Sequence, residues 1–486
     1  MDWGFYGRHS ELKRISEILN RNRWFFAQIT GRRRIGKTRL IQRALEDRQV
    51  PTTFYVQIPD SDPAGVVAAV LDQMEVFGLD EGSFKNPTSL SDVAKLVANL
   101  IRKNYLVALD EFQYFNRPKL REFCSHLQRE VDQLSIEKGI KGGLFVLGSI
   151  HADMSAILDD KGAPLFNRTT DEISVPHWDF SSLQELLKSF EVNDPLHLLF
   201  LWNLFEGVPK FYRDCFEQGV LNAKDRKSLL TRMFFESSSP LKSEADNWFL
   251  KELHGRYDTI LRYIARNAGC TNSDLEAHIR QVSGESKEQV GGHLKILSQR
   301  FGLIQKKQPI FAKAKERKGR YYITDNFLRS WLGALAAPVS SVSFSPVDRL
   351  VAQADERLKK MEGFALEKLS TLLYEERSRK GIGNFSLSER IDGFWDRSDV
   401  EIDLVAVDKN SNRIRFITCK RNENEIVSSI LGLRAGADIF IRSHKQFSGW
   451  AIEYGAISPI IGKDVRNTLQ RLQVHAEDFE DLFSEL

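Results

Sequence analysis

The chain of 486 residues has little cysteine and no long apolar run. Its four cysteines stand far apart and form no CxxC pair, which argues against a zinc site and against a disulfide framework. No apolar run approaches ~20 residues, and the amino terminus lacks the basic and apolar segments of a signal peptide. We therefore expect no membrane span and a cytoplasmic location.

The chain also has little excess of either charge, because 69 Lys and Arg residues nearly balance 66 Asp and Glu residues and leave a formal net charge of +3. That total is too small to establish nucleic-acid binding, for which local basic patches matter more. The hydrophobic fraction of 42% and the charged fraction of 28% are those of an ordinary soluble protein. The length exceeds what a single hydrophobic core supports, so we expect about three domains.

The segment 31–38 has the glycine, lysine and threonine spacing of a Walker A loop. It follows the apolar run 24–29 and precedes a helix-like segment, 39–45, so the loop opens a helix whose positive end faces a bound phosphate. Lys37 would reach the β- and γ-phosphate oxygens, and Thr38 would hold Mg²⁺. A glycine turn in a basic loop is the alternative, which this context disfavours. The pattern predicts that ATP and Mg²⁺ are bound by Gly31, Arg34, Gly36, Lys37, Thr38 and Arg39.

A second pattern places two acids after the apolar run 105–109. Such a run predicts a buried parallel strand that delivers Asp110 and Glu111 to its carboxyl edge, where ligands bind in open α/β sheets. Asp110 would be the outer-sphere Mg²⁺ ligand, and Glu111 the base that polarises the attacking water. Acidic residues at strand ends are common, but the order after a Walker A loop makes this pattern specific.

The opening segment 5–12 has the pattern Phe-x-Gly-Arg-x-x-Glu-Leu. Together with a Walker A loop that carries arginines, it resembles the archaeal-type ATPase family within the AAA+/STAND group of P-loop ATPases. The resemblance implies that the opening segment, including Phe5, Tyr6 and Arg8, lies against the adenine. A solvated arginine at a helix start is the alternative for Arg8. The family's helical lid is matched at 206–210, which would put Pro209 on the adenine side, although by chemistry alone Pro209 is a helix stop.

Two further residues gain a role from the same resemblance. Ser149 ends a strand-like run, 143–149, where related ATPases place a sensor of the γ-phosphate; a serine that caps the next helix explains it equally well. Arg168 lies in a segment, 164–169, that resembles a family segment carrying an arginine. It could neutralise transition-state charge on a phosphate in its own or a neighbouring subunit, or form a structural ion pair.

From about residue 244 the pattern changes to short helices. Segments 257–266 and 286–299 predict two helices, and 271–276 has the capping-type start of another between them. With the two-stranded wing predicted by 302–305 and 319–324, they resemble a winged helix-turn-helix. Cations decorate the third helix and the wing, so contact with double-stranded DNA is one interpretation and a protein-packing module is the other. These cations are Lys287, His293, Lys295, Arg300, Lys306, Lys307, Lys313, Lys315, Arg317, Lys318 and Arg320.

The segment 336–346 reads as a linker to a last domain that resembles PD-(D/E)xK nucleases. Glu367 matches the family's helix glutamate, Asp403 its strand aspartate and Lys420 its lysine, but Thr418 stands where an acid belongs. A hydroxyl is a poor Mg²⁺ ligand beside a carboxylate, so we expect impaired cleavage. Substitution by a nearby acid is the alternative; the candidates are Glu401, Glu423 and Glu425.

These patterns predict an α/β chain: a P-loop NTPase parallel sheet with a helical lid (1–235), a winged helix-turn-helix (244–335), and a small α/β restriction-endonuclease-like domain (347–486). The predicted function is ATP hydrolysis that controls the later modules, acting on DNA. The alternative is a signalling or assembly ATPase whose last domains bind a protein partner. The partner is then either another protein or a second copy of this chain in a homo-oligomer.

Overall fold

The computed structural model describes residues 2–46, 52–79, 82–149, 151–223, 225–244, 257–283, 286–313, 318–396 and 400–486. The chain forms two compact units. The amino-terminal unit holds residues 7–178 with 208–210, and the carboxyl-terminal unit holds the residues up to Tyr6 with 179–207 and 211–486. Within the described residues, every helix is too short or too polar to cross a membrane.

The amino-terminal unit alternates strands and helices. Its strands form one parallel sheet in the order β2-β3-β4-β1-β5, which confirms the predicted α/β class. The elements are α1 (His9–Asn20), β1 (Phe25–Thr30), α2 (Lys37–Glu46), β2 (Thr53–Gln57), α3 (Pro63–Val76), α4 (Leu90–Arg102), β3 (Leu106–Asp110), a 3₁₀ turn (Phe112–Asn116), α5 (Glu122–Ile136), β4 (Gly143–Gly148), α6 (His151–Leu158) and β5 (Asp171–Ser174).

The three central strands are almost continuously apolar because helices cover both faces of the sheet. Every residue of β3 and β4 is buried, as are the first five of β1. Capping side chains start the covering helices: Asp62 accepts from the Gly65 N–H at the start of α3, and Ser89 from the Asp92 N–H at the start of α4. Because the strands are parallel, their carboxyl ends meet at one edge, which is where β1 leads into the 31–36 loop.

The carboxyl-terminal unit begins with helices and a small antiparallel sheet. The helix starting at 286 has a capping box between Ser286 and Gln289, and the sheet order is β6-β8-β7. Lys315 and Arg317 lie outside the described residues. The elements are α7 (Phe180–Ser189), α8 (Pro195–Phe205), α9 (Pro209–Glu217), α10 (Arg226–Leu230), α11 (Asp258–Arg266), β6 (Cys270–Thr271), α12 (Asn272–Ser283), α13 (Lys287–Lys295), β7 (Ile304–Lys307) and β8 (Arg320–Ile323).

The rest of this unit is a second five-stranded sheet flanked by helices, in the order β13-β12-β11-β10-β9. Strands β9 to β11 are antiparallel, and β11 to β13 are parallel. The elements are α14 (Asn326–Ser330), α15 (Ala336–Ser340), α16 (Val347–Lys380), β9 (Asp392–Trp395), β10 (Glu401–Asp408), β11 (Arg413–Cys419), α17 (Ile426–Ser443), β12 (Ala451–Ile457), α18 (Lys463–Arg471), β13 (Val474–Glu477) and α19 (Phe479–Phe483).

The predicted linker is partly wrong, because Ala336–Ser340 is helical and continues a helical run from α14. Pro338 and Val339 are buried there. Only the residues after Ser340 form an irregular connection to α16.

Helix α16 has 34 residues, which makes it about 50 Å long at 1.5 Å per residue. Its buried Glu376 accepts hydrogen bonds from the N–H groups of Phe180 (2.8 Å) and Ser181 (3.2 Å), so it caps α7. Earlier in the same helix, Asp355 and Glu362 both pair with Arg226 of α10. One helix thus contacts both α7 and α10.

Candidate nucleotide-binding site

The loop between β1 and α2 has the backbone of a phosphate cradle. Arg34 and Gly36 have positive φ angles, of 66° and 93°. A Cβ on Gly31 would come within 2.6 Å of the Val175 carbonyl oxygen, so this position requires glycine. α2 begins at Lys37, and its amino end therefore adjoins the loop, which is the geometry that binds anions.

The buried Arg8 side chain holds this loop in place through hydrogen bonds. It is 6% exposed, and its guanidinium donates to the carbonyl oxygens of Ile35 (3.1 Å) and Pro176 (2.7 Å) and to Glu11 (3.1 Å). The interpretation of Arg8 as a solvated helix start is therefore wrong. Instead, Arg8 ties the Walker A loop to the segment that follows β5.

Lys37 is folded into the loop that precedes it. Its ammonium donates to the carbonyl oxygens of Gly31 (2.9 Å) and Arg32 (3.2 Å) and is 8% exposed. Burial lowers the pKa of Lys37 from 10.5 to about 8, against the opposing charges of Asp110 and Glu111. A buried cation beside a helix amino end fits a triphosphate, whose charge would replace the carbonyl dipoles.

Thr38 and Asp110 are brought together, as predicted. The Thr38 hydroxyl donates to Asp110 Oδ2 (2.5 Å), and the Tyr55 hydroxyl donates to the same oxygen (2.9 Å). Burial and the Asp110 charge raise the pKa of Tyr55, which keeps it a donor. In nucleotide sites Mg²⁺ is held by one or two protein oxygens together with phosphate oxygens and water, so a carboxylate beside a hydroxyl at this loop fits the ion. Sequence reasoning missed Tyr55, which lies on β2 beside β3.

Glu111 lies at the same edge, with a positive φ of 55°. Its Oε2 accepts a hydrogen bond from the Ser149 hydroxyl (3.3 Å) and another from the Gln113 amide. The predicted base and the predicted sensor are therefore in direct contact. Sequence reasoning missed Gln113, although its place two residues after the acids was a usable signal.

The predicted adenine contacts are divided between the two units. Tyr6 belongs to the carboxyl-terminal unit, where its ring packs on Trp3 (5.5 Å between centroids) and Phe190 (6.1 Å). Phe5 belongs to the same unit, whereas Pro209 clusters with the amino-terminal unit at the start of α9. Contact of these three residues with adenine stays a prediction.

Two predicted cations are held in ion pairs. Arg168 makes a two-point contact with Asp132 of α5, at 2.7 and 3.0 Å, which is the structural ion pair that the sequence left open. Arg39 pairs with Glu46 (3.0 Å) and is 56% exposed. Exposed pairs of this kind open easily, so nucleotide contact by Arg39 stays a prediction.

The position of Arg168 corrects one of its predicted roles. Thr170, two residues later, donates its N–H to the Phe26 carbonyl at the start of β1, and β5 begins beside Ala27. Arg168 therefore lies at the amino edge of the sheet, about 20 Å of strand away from the Walker A loop. It cannot reach a phosphate bound by its own subunit, so a role in a neighbouring subunit is the one that stays open.

In the last domain the structure gathers the nuclease-like residues around Asp403. Asp403 Oδ2 accepts from the Thr418 hydroxyl (3.1 Å), the Cys419 N–H (2.6 Å) and the Lys420 ammonium (3.2 Å). Burial, together with the Asp403 charge, raises the pKa of Glu367 on α16. Among the described residues there is no cluster of three or more His, Cys, Asp or Glu side chains suited to a metal ion. The residues present do not fit a nuclease metal site.

The acids that the sequence offered as replacements are used elsewhere. Glu401 is 58% exposed and pairs with Arg320 (2.8 Å). Glu423 accepts a hydrogen bond from the Gly462 N–H at the start of α18. Glu425 is exposed at the start of α17. None of these three acids therefore takes the place of the missing carboxylate at Thr418.

The wing is packed against the last domain. The Trp395 indole donates to the Lys318 carbonyl (2.8 Å), and the Arg320 guanidinium lies 4.8 Å from the Trp395 ring. Ile310, 4% exposed, belongs to the hydrophobic core of that domain and donates its N–H to Gly393 (2.9 Å). Lys307 lies 3.7 Å from Asp392. These contacts match the protein-packing interpretation of the wing.

Helix α13 presents its cations differently. Lys287 is 65% exposed, and Lys295 and Arg300 are also exposed. His293, by contrast, packs edge-on against Tyr257 with ring centroids 5.1 Å apart. Lys287 also pairs with Glu276 (3.3 Å), and exposed cations lie on the wing as well, at Lys306 and Lys313.

Comparisons with known proteins agree with this architecture. Residues 331–430 match DUF234, a family described as archaeal and bacterial proteins of unknown function. An uncharacterized protein of Methanocaldococcus jannaschii is 25% identical over 419 residues, 86% of this chain and 87% of that protein. The solved structure of a Walker-type ATPase of Pyrococcus abyssi superposes with a TM-score of 0.51 at 18% identity, over 68% of this chain and 96% of that one. The matched 68% of this chain therefore has the fold of that ATPase.

Proposed function

We propose that this chain, an archaeal-type P-loop ATPase in its fold, binds ATP with Mg²⁺ and hydrolyses it. One observation carries the proposal: the carboxyl edge of a single sheet brings together a phosphate loop, a hydroxyl–carboxylate pair and a carboxylate in contact with a serine. These residues are Lys37, Thr38, Asp110, Glu111 and Ser149.

The chemistry follows from their positions. Lys37 and the amino end of α2 hold the β- and γ-phosphates, and Thr38 with Asp110 would hold Mg²⁺, which neutralises phosphate charge when bound. Glu111 accepts a proton from a water molecule as that water forms a bond to Pγ. The bond from Pγ to the bridging oxygen breaks, and ADP leaves with the electron pair.

Steady-state phosphate release tests this directly. The full chain is expected to turn over ATP in Mg²⁺, and Lys37→Ala is expected to reduce turnover to background. Glu111→Gln, which removes the base but leaves the cradle, is expected to bind ATP with turnover at least ~100-fold lower. Equal turnover in the unaltered chain and Lys37→Ala would remove ATP hydrolysis from the protein's activities.

We further propose that the carboxyl-terminal unit responds to nucleotide and contacts duplex DNA through α13. The exposed Lys295 and Arg300 support this, since phosphate contacts from such cations give salt-sensitive binding. Arg320 of the wing is expected to contribute little, because it already pairs with Glu401 and lies over Trp395.

The test is ATP turnover and DNA affinity with linear duplex DNA at two salt concentrations. Stimulation that fades at the higher salt supports DNA as an effector. Lys295→Ala and Arg300→Ala are each expected to reduce the slope of the logarithm of DNA affinity against the logarithm of salt concentration by about one. The matched wing variant, Arg320→Ala, is expected to leave this slope unchanged. Equal effects from both faces would contradict the assignment to α13.

The nuclease-like domain is proposed to be inactive in cleavage. The Asp403 carboxylate oxygen already accepts three hydrogen bonds, one of them from Thr418. Incubation of supercoiled plasmid with the full chain in Mg²⁺ or Mn²⁺ is expected to give no nicking, and Lys420→Ala is expected to behave the same. Metal-dependent nicking that is lost in Lys420→Ala would show an active nuclease.

A second candidate function is an assembly ATPase that binds a protein partner. The packing of the wing on the last domain favours it, because that face serves intramolecular contact rather than DNA. Turnover that is indifferent to duplex DNA at both salt concentrations would select this candidate.

A further inference from the structure

Gln113 occupies a central place between the proposed base and the proposed sensor. It is 2% exposed and lies in the 3₁₀ turn Phe112–Asn116 that follows β3. Its amide nitrogen donates to Glu111 Oε2 and lies 3.4 Å from the Ser149 hydroxyl, while its amide oxygen accepts from the Ser149 N–H (3.2 Å). Since Ser149 also donates to Glu111, the three side chains form a closed triangle.

The chemistry of the triangle requires an amide. A primary amide offers donors on one side and an acceptor on the other, so Gln113 can serve a carboxylate and a backbone N–H at the same time. A carboxylate there would face Glu111 with a like charge, and an apolar side chain would leave the Ser149 N–H without this acceptor. A buried amide is stable only if these bonds form.

The turn that carries Gln113 is firmly anchored. Phe112 and Phe115, on either side of it, are fully buried, and Phe115 stacks on Phe123 of α5 with ring centroids 3.9 Å apart. The amide is therefore held by side chains of the core rather than by a surface loop. Preorganisation of this kind is what a group that orients a catalytic base needs.

We propose that Gln113 is a positioning residue for ATP hydrolysis, which transmits the state of the sensor to the base. This rests on the proposed function. When the Ser149 hydroxyl turns to a γ-phosphate oxygen, Glu111 Oε2 loses one of its two donors and can accept the proton of the attacking water. Gln113 meanwhile keeps the carboxylate aimed, because its second contact, to the Ser149 N–H, does not depend on the hydroxyl.

The test compares Gln113→Met, which keeps the volume but removes the amide, with Asn116→Ala. Asn116 is the matched control, because it is an amide in the same turn that bonds Asp153 (2.8 Å) instead of the triangle. Gln113→Met is expected to lower kcat by about 10- to 100-fold, with the dissociation constant of a fluorescent ATP analogue changed less than about twofold. Asn116→Ala is expected to change neither quantity.

A purely structural role gives a different result. If Gln113→Met weakened nucleotide binding and kcat in parallel, or left kcat unchanged, positioning by Gln113 would be refuted. Gln113→Asn, which keeps the amide but shortens its reach, is expected to recover at least part of the lost kcat.

A double-mutant cycle with Ser149→Ala provides an independent measure. The double variant is expected to be no slower than the slower single variant, since both act on Glu111; fully multiplicative losses would contradict a shared triangle. Comparison of ATP turnover by the unaltered chain and by Lys37→Ala distinguishes the two proposals. If the unaltered chain turns over ATP no faster than Lys37→Ala, both ATP hydrolysis and positioning by Gln113 are overturned. If the unaltered chain is active and Gln113→Met is equally active, only positioning by Gln113 is overturned.

Discussion

The Walker A lysine is expected to destabilise the protein that carries it when no nucleotide is bound. Lys37 has a pKa of about 8 in the fold, against 10.5 for its ordinary value. A difference of about 2.5 corresponds to about 3 kcal/mol at ~1.4 kcal/mol per pKa unit. Because the fold binds this proton more weakly than the unfolded chain does, the cost is full below pH 8 and disappears as the pH rises to 10.5.

The perturbation is Lys37→Met, which keeps most of the side chain and removes the charge. Relative to this variant, the unaltered chain is expected to gain about 2 kcal/mol of unfolding free energy between pH 7 and pH 9.5, from the two pKa values. All other titrating groups cancel in the difference. The measurement is urea denaturation of the full chain without nucleotide, with unfolding of the amino-terminal unit read from short protease pulses.

Lys95→Met is the matched control, because this α4 lysine is 53% exposed and stays in water in both states. The difference in unfolding free energy between Lys95→Met and the unaltered chain is expected to stay constant over the same pH range. A flat difference for Lys37→Met as well would refute the reasoning, since it would mean that the buried ammonium carries no desolvation penalty. If the unaltered chain instead gained unfolding free energy relative to Lys37→Met as the pH fell, the predicted direction of the pH dependence would be wrong.

Three further outcomes are expected. Arg168→Ala should change the unfolding free energy by less than about 1 kcal/mol, because its pair with Asp132 is partly exposed. If Arg168 acts on a nucleotide bound by a neighbouring subunit, the same substitution should lower kcat at least ~1,000-fold. Addition of a Lys37→Ala chain, which still supplies Arg168, should then restore turnover. Glu376→Ala should cost about 1–3 kcal/mol in urea denaturation through the lost α7 cap, whereas Glu356→Ala, 74% exposed, should stay within about 0.5 kcal/mol. Thr418→Asp should create Mn²⁺ binding measurable by calorimetry, since a second carboxylate then faces Asp403; no heat would argue that Lys420 alone excludes the ion.

The sequence was most informative where function depends on residues close together in the chain. The Walker A loop, the acids after β3 and the strand that ends at Ser149 follow from apolar runs and their terminal residues, because parallel strands place such ends on one edge. The capping box at Ser286 is equally local. Those features could be predicted without knowing the sheet order.

What the sequence did not predict depends on long-range contact. Gln113 meets Ser149 only because β3 and β4 are neighbours, and Arg8 is buried only because the 31–36 loop and the segment after β5 close over it. The docking of Ile310 and Arg320 on the last sheet joins residues about eighty positions apart. The order of strands and the packing of domains decide these contacts, and local periodicity carries no record of them.

Helix α16 changes how the loss of an acid at Thr418 should be understood. The same helix that supplies Glu367 also caps α7 with Glu376 and neutralises Arg226 with Asp355 and Glu362. A gene shortened to remove the nuclease-like domain would leave those groups buried without their partners. Selection for stability alone can therefore retain α16, whatever chemistry the last domain performs.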